Sequence, residues 1–250
     1  MSLKNEVPKV QDIYDSYIES LQSDKFATRY SGKENWYHSS VAGMCIRKHY
    51  FASVLKVEQS DKKNPKTLRL FRLGDIVHHD IQTAVQQYAL AKGLPLFIEK
   101  ELFIDDLNVR GFIDLGFVDK HILYDIKTTN AYRWKLMFGR DGDFMEVSKN
   151  YQLQLGTYGL WYKREYGDLK GLKLVFYNKD TSIMKEVDLE LDVLDKAEEY
   201  WLKVKDLISK GQPPIAMHSS PYYRWECNPS YCSYYTVCGG GVERKHLKNV

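Results

Sequence analysis

The chain has 250 residues, 44% of them hydrophobic and 28% charged, which excludes a disordered or fibrous polypeptide and leaves room for one sizeable core. Its net charge is only +3, so a nucleic-acid partner must be met by a local patch and not by the field of the whole molecule. No apolar run reaches the length of a membrane span, and the N-terminus MSLKNEVPKV lacks the apolar core of a secretory signal, which points to a cytoplasmic protein with no membrane partner.

In chain order, residues 10–25 read as an amphipathic helix with Val10, Ile13, Tyr14, Tyr17, Ile18 and Leu21 on one side. Residues 43–56 read as a second helix carrying Cys45, and the polar stretch 58–66 as a loop. A run of basic residues, Lys62, Lys63, Lys66, Arg69 and Arg72, is either a phosphate-facing patch or a solvated linker. Residues 67–92 form a long helical pattern whose apolar stripe is Leu70, Leu73, Val77, Ile81, Val85 and Tyr88, ended by Gly93 and Pro95. Three short runs rich in Ile, Leu, Phe and Val follow at 95–104, 109–118 and 121–128, separated by DDLN and DKH turns. Residues 146–166 return to helix, strands are predicted at 171–178 and 182–189, and a helix at 192–210. The tail from Gly211 is rich in Pro, Tyr and Cys without clear periodicity. This order predicts an α/β domain, a mixed sheet flanked by helices with an irregular C-terminal cap.

The chemistry concentrates in GFIDLGF and YDIKTTN. Asp114 falls on the second strand run, and Asp125 and Lys127 fall two apart on the third, hence on one face. Two carboxylates in a strand-rich core need partners, and a hard divalent cation such as Mg²⁺ satisfies both. Lys127 beside it is placed to orient or deprotonate a water and to stabilise charge on a phosphate. Taken alone, the same pair is also an ordinary structural salt bridge. On the long helix, His78 falls with Gly74 and Ile81 toward the interior, while His79 falls with Asp75, Gln82 and Gln86 on the polar side. Gln154 and Tyr158 lie four apart on one helical face.

Together these pieces resemble the RecB-like branch of the PD-(D/E)XK nuclease superfamily over roughly residues 39–240. The family pattern is carried by Gly74 with His78, by Glu99 or Glu101, by Gly111 with Asp114, by Asp125 with Lys127, and by Gln154 with Tyr158, in that order. The resemblance implies a restriction-endonuclease-like core. It implies Mg²⁺ or Mn²⁺ held by His78, Asp114, Asp125 and the backbone carbonyl of Ile126, with Lys127 catalytic. Gln154 and Tyr158 become supporting or DNA-contacting residues, and Glu99 or Glu101 a further helper; strand parity does not separate those two. The implied activity is metal-dependent DNA hydrolysis, as an exonuclease on single-stranded ends in repair, recombination, phage DNA processing or CRISPR adaptation. The chain has no G-x-x-x-x-G-K-[ST] phosphate loop, so a helicase would be a separate partner. The alternative is a non-cleaving DNA- or partner-binding module on the same fold.

Cys227, Cys232 and Cys238 crowd twelve residues of the tail, and Cys45 stands alone near the start. In an intracellular protein such crowding suggests a metal site, and thiolates suit both Zn²⁺ and iron–sulfur clusters. The arrangement resembles that of CRISPR-associated RecB-like exonucleases and the B subunit of the AddAB helicase–nuclease, where one cysteine before the core and three after it hold a [4Fe–4S] cluster. Here the first tail gap is four residues where that family has two. The reading is a single domain over 1–250, with a helical N-terminal segment over 1–92, a core over 93–210, and a cysteine-rich cap over 211–240 closed onto Cys45.

Overall fold

The computed structural model describes residues 9–30, 36–53, 55, 64–211, 226–227, 232 and 234–238. Of the basic run, Lys62 and Lys63 lie outside them. Arg69 is ion-paired with Asp15, which makes it a helix-to-helix tie.

Among the described residues six strands form one mixed sheet flanked by helices. β1 (Tyr37–His38) was not predicted; two residues carry no readable period. β2 (Leu96–Ile104), β3 (Val109–Phe117) and β4 (Ile122–Thr129) are the antiparallel meander expected from the apolar runs. Its turns place Asn108 and His121 at left-handed φ values of 56° and 53°, a region where Asn and His are enriched. β5 (Gly171–Asn178) runs parallel to β4, and β6 (Met184–Leu189) closes the edge antiparallel to β5. A parallel pair requires a crossover. It is supplied by α4 (Ala131–Phe138), α5 (Phe144–Val147) and α6 (Lys149–Tyr166). The predicted single helix 146–166 is thus broken at Ser148. α4 went unread, although Asn130 caps it by accepting from the Arg133 amide at 2.8 Å.

Before the sheet lie α1 (Val10–Tyr30), α2 (Ile46–Ser53) and α3 (Pro65–Lys92); after it comes α7 (Val193–Ser209), and α8 (Tyr235–Cys238) sits in the tail. α3 starts on Asn64, whose side chain accepts from Thr67, with Pro65 at its first position, and stops on Gly93 at φ 64°. The predicted stripe of α3 needs correction. Leu70, Leu73 and Tyr88 are exposed, while Ile81 and Val85 pack on Leu115, Ile126 and Val175 of the sheet. The strands lie under α3 from Gly74, which meets Thr128, to Val85, so a stripe drawn along its whole length overstates the buried face. On α1, likewise, Ile18 is buried but Val10, Ile13, Tyr14 and Tyr17 are exposed.

The other face of the sheet carries the main core. α6 is buried from Gln152 to Tyr162, between the strands and α7. α6 comes close to α7 at Gly156, where a Cβ would meet the Val193 carbonyl oxygen at 2.4 Å. We expect Gly156→Ala to destabilise the fold by about 1–3 kcal/mol, overpacking outweighing the better helix propensity of Ala. Gly171→Ala, whose added Cβ meets nothing nearer than 3.6 Å, serves as the control in urea unfolding.

Candidate active site

β3 has β2 along one edge and, along the other, β1 at one end and β4 at the other end. β3 and β4 pair only from Leu115–Tyr124 to Phe117–Ile122. Beyond that rung the strands part. The Asp114 carboxylate fills the gap, with Oδ2 accepting the Ile126 amide at 2.7 Å. Asp125 and Lys127 follow on β4, and their side chains meet at 2.6 Å.

From α3, His78 Nε2 reaches Asp114 Oδ2 at 2.9 Å, while His79 is exposed, as helical phase predicts. Gly74 lies one turn earlier, and a Cβ there would meet Thr128 Oγ1 at 3.0 Å, so the glycine lets α3 settle close to β4. Glu99 and Glu101 part company. Glu99 has φ 48°, and its carboxylate lies 3.8 Å from His78 Nδ1, whereas Glu101 turns to Arg110 at 3.7 Å. His78, Glu99 and Asp114 present ligand atoms all within 4.8 Å of one another.

From α6, Gln154 Oε1 accepts from Lys127 Nζ at 3.0 Å, and Gln154 Nε2 donates to Tyr158 Oη at 2.6 Å. Ser39, beside β1, completes the chain at 3.3 Å from the same hydroxyl. A Cβ at Gly111 would lie 2.2 Å from Ser39 Oγ and 2.8 Å from the Tyr158 ring, which explains the glycine three residues before Asp114. Three participants escaped the sequence reading. Gln82, assigned there to the polar side, is buried and donates to Glu99 Oε1 and to the Asp114 carbonyl, both at 3.1 Å. Its i+4 spacing from His78 was the available signal. Tyr151, three before Gln154, lies under Lys127 Nζ at 5.3 Å from the ring centroid. Ser39 has no local signal, because its contact spans 119 residues.

The charges interlock. Burial pushes the Asp114 carboxyl up, but the His78 hydrogen bond and charge, Lys127 and the Ile126 amide outweigh it and hold it below the ordinary value. Burial lowers Lys127 and His78, yet the neighbouring carboxylates keep both raised. Asp125 is fully buried, and burial drives it up to about 7, with Lys127 opposing and Asp114 reinforcing the shift. Both its oxygens lack a hydrogen bond, the Lys127 contact being an ion pair and not an aligned donor. Buried acceptors without donors beside a His–Glu–Asp cluster fit a divalent cation, because a cation satisfies oxygen lone pairs without needing a proton.

A family model described as the PD-(D/E)XK nuclease superfamily matches residues 84–239, which span every site residue above except Ser39, Gly74, His78, His79 and Gln82. No curated protein matches the sequence significantly. Among solved structures, SSO0001 is similar at 19% identity, covering 89% of this chain and 96% of its own, with a TM-score of 0.55. An alkaline exonuclease from Laribacter hongkongensis is similar at 11% identity, covering 76% of this chain and 93% of its own, with a TM-score of 0.48.

With burial pushing Asp125 up to about 7, a cation bound there would displace a proton. Divalent-cation affinity measured by titration calorimetry should therefore rise from about pH 6 to about pH 8, and because His78, whose pKa is also raised, must likewise lose its proton to bind, Asp125→Asn should lessen that dependence without removing it.

Proposed function

The chain belongs to the PD-(D/E)XK nuclease superfamily, and from that premise we propose that it is an exonuclease hydrolysing phosphodiester bonds at single-stranded DNA ends with Mg²⁺ or Mn²⁺. The observation that carries the reading is the buried Asp125 carboxylate, its oxygens without hydrogen bonds, beside the His78–Glu99–Asp114 cluster. Those four side chains would hold the cation, with the Ile126 backbone alongside. A bound divalent cation there supplies Lewis acidity toward a phosphoryl oxygen.

The chain's own residues do the rest. An ammonium has three donors. Asp125 pairs with Lys127 Nζ at 2.6 Å and Gln154 accepts from it at 3.0 Å, which holds the ammonium beside the fork with donor capacity to spare. There it orients the attacking water and stabilises charge on the phosphate. Tyr158 and Ser39 fix the Gln154 amide, so the lysine does not have to be ordered when substrate arrives. The preference for single-stranded ends rests on the RecB-like pattern of Gly74 with His78 and Gln154 with Tyr158. So do the settings of repair, recombination, phage DNA processing or CRISPR adaptation, and a separate helicase or adaptation partner.

The test uses end-labelled linear single-stranded DNA and a circle of the same sequence. Wild type should degrade the linear strand and spare the circle, and Lys127→Ala should lose on the order of 10²–10⁴ in kcat. Cleavage of the circle would overturn the exonuclease reading. A folded wild type that cuts neither would leave a non-cleaving binding module.

The proposal extends to a [4Fe–4S] cluster on Cys45, Cys227, Cys232 and Cys238. All four line one recess between α2 and the tail. A lone Zn²⁺ with bonds of about 2.3 Å would draw four sulfurs to within about 4 Å of each other. The choice of [4Fe–4S] over Zn²⁺ at these four thiols rests on the resemblance of the cysteine arrangement and not on their spacing. Cys232→Ala should lower the melting temperature and abolish iron binding, whereas chelating the divalent cation from wild type should leave the iron in place.

A further inference from the structure

The recess that gathers the four cysteines is not lined by cysteine and apolar residues alone; Arg47, Lys48 and Glu226 also face it. Glu226 is 1% exposed. Its carboxylate accepts the backbone N–H of Cys45, at 3.1 Å through Oε2 and 3.4 Å through Oε1, and is ion-paired with Lys48. One buried acid therefore fixes the backbone of Cys45 while preceding Cys227 in the chain, so it registers two of the four thiols against each other across 181 residues. On the opposite side, Arg47 Nη1 lies 3.4 Å from the Cys238 sulfur and 3.4 Å from the Cys238 carbonyl oxygen, which ties the last thiol to the same short helix.

A carboxylate is costly to bury unless its charge is used. Glu226 uses its charge on Lys48 and the Cys45 amide, so it stands beside the thiols as an ion-paired acid and not a bare one. An N–H donor on a ligand sulfur draws electron density from it, and net charge beside a cluster sets how readily an electron is added. Arg47 and Glu226 act on these two properties with opposite sign.

We infer that Arg47 and Glu226 are positioning residues forming a charged bracket that sets the reduction potential of the thiolate-bound metal group, Arg47 raising it through the Cys238 sulfur and Glu226 lowering it beside Cys45 and Cys227. The inference rests on the reading of the four cysteines as an iron–sulfur site. Its consequence is that the group is electrically tuned, not merely a staple, and that the tuning comes from residues at both ends of the closed loop.

The experiment is an anaerobic redox titration of the full-length, cluster-loaded protein followed near 400 nm, with iron content measured on the same samples. Arg47→Gln should lower the midpoint potential, Arg47→Lys should return it toward wild type, and Glu226→Gln, which keeps an acceptor for the Cys45 amide, should raise it. If Arg47→Gln loses iron, the midpoint potentials of loaded Arg47→Lys and Glu226→Gln decide the inference. Loaded variants that all titrate with the wild-type potential would overturn the inference while leaving the cluster in place. A colourless, iron-free wild type would instead overturn the four-cysteine reading, and this inference with it.

Discussion

The structure turns on one interrupted ladder. β3 and β4 pair as far as Leu115 and Tyr124 and then separate, and the Ile126 amide is satisfied by the Asp114 side chain. Backbone donors inside a sheet are seldom left unpaired. A carboxylate that replaces the missing strand partner is therefore held as firmly as the sheet itself. The parting makes the space in which Asp125 and Lys127 face His78 and Glu99, and there His78, with help from Lys127 and the Ile126 amide, holds the Asp114 carboxyl below its ordinary value in spite of its burial. Had the ladder continued, the Ile126 amide would be paired within the sheet and Asp114 would lose the donor that now fixes its carboxylate.

α6 answers to two neighbours at this point. Gln154 and Tyr158 look toward the fork, while Gly156 and Gly159 let α7 come close. Thr157, buried between them, donates to the Leu153 carbonyl and accepts from the Trp201 indole at 2.8 Å. A helix so enclosed cannot shift by a fraction of an ångström without disturbing α7 or the sheet. The precision of the Lys127–Gln154 contact is accordingly a property of the whole core and not of the site alone.

What could be read beforehand follows the range of each signal. Asp114, Asp125 and Lys127 were legible because strand parity and residue chemistry are local, and the meander because its apolar runs are broken by clear turns. His78 was separated from His79 by helical phase alone. The distinction between Glu99 and Glu101 was not legible, because it depends on a positive φ at Glu99 and on Arg110 across the sheet. Ser39 and β1 enter through contacts that span much of the chain, and no window of sequence contains both partners. The α3 stripe failed for a third reason: periodicity reports which residues could share a face, not how far the sheet beneath extends.

The recess between α2 and the tail has a bearing on how such a chain is made. Arg47 and Cys238 are 191 residues apart, and nearly the whole sheet is threaded between them. During synthesis Cys45 leaves the ribosome early and waits. α2 can seat on the core, where His49 meets Trp201 edge-on, only after α7 has emerged. Contacts of such separation form last because closing the loop is costly until the intervening chain is folded. A nascent chain arrested before the tail would carry an assembled fork beside a single unsheltered thiol. Closure of the recess is thereby a report of completion, available only to molecules whose translation has run past Cys238.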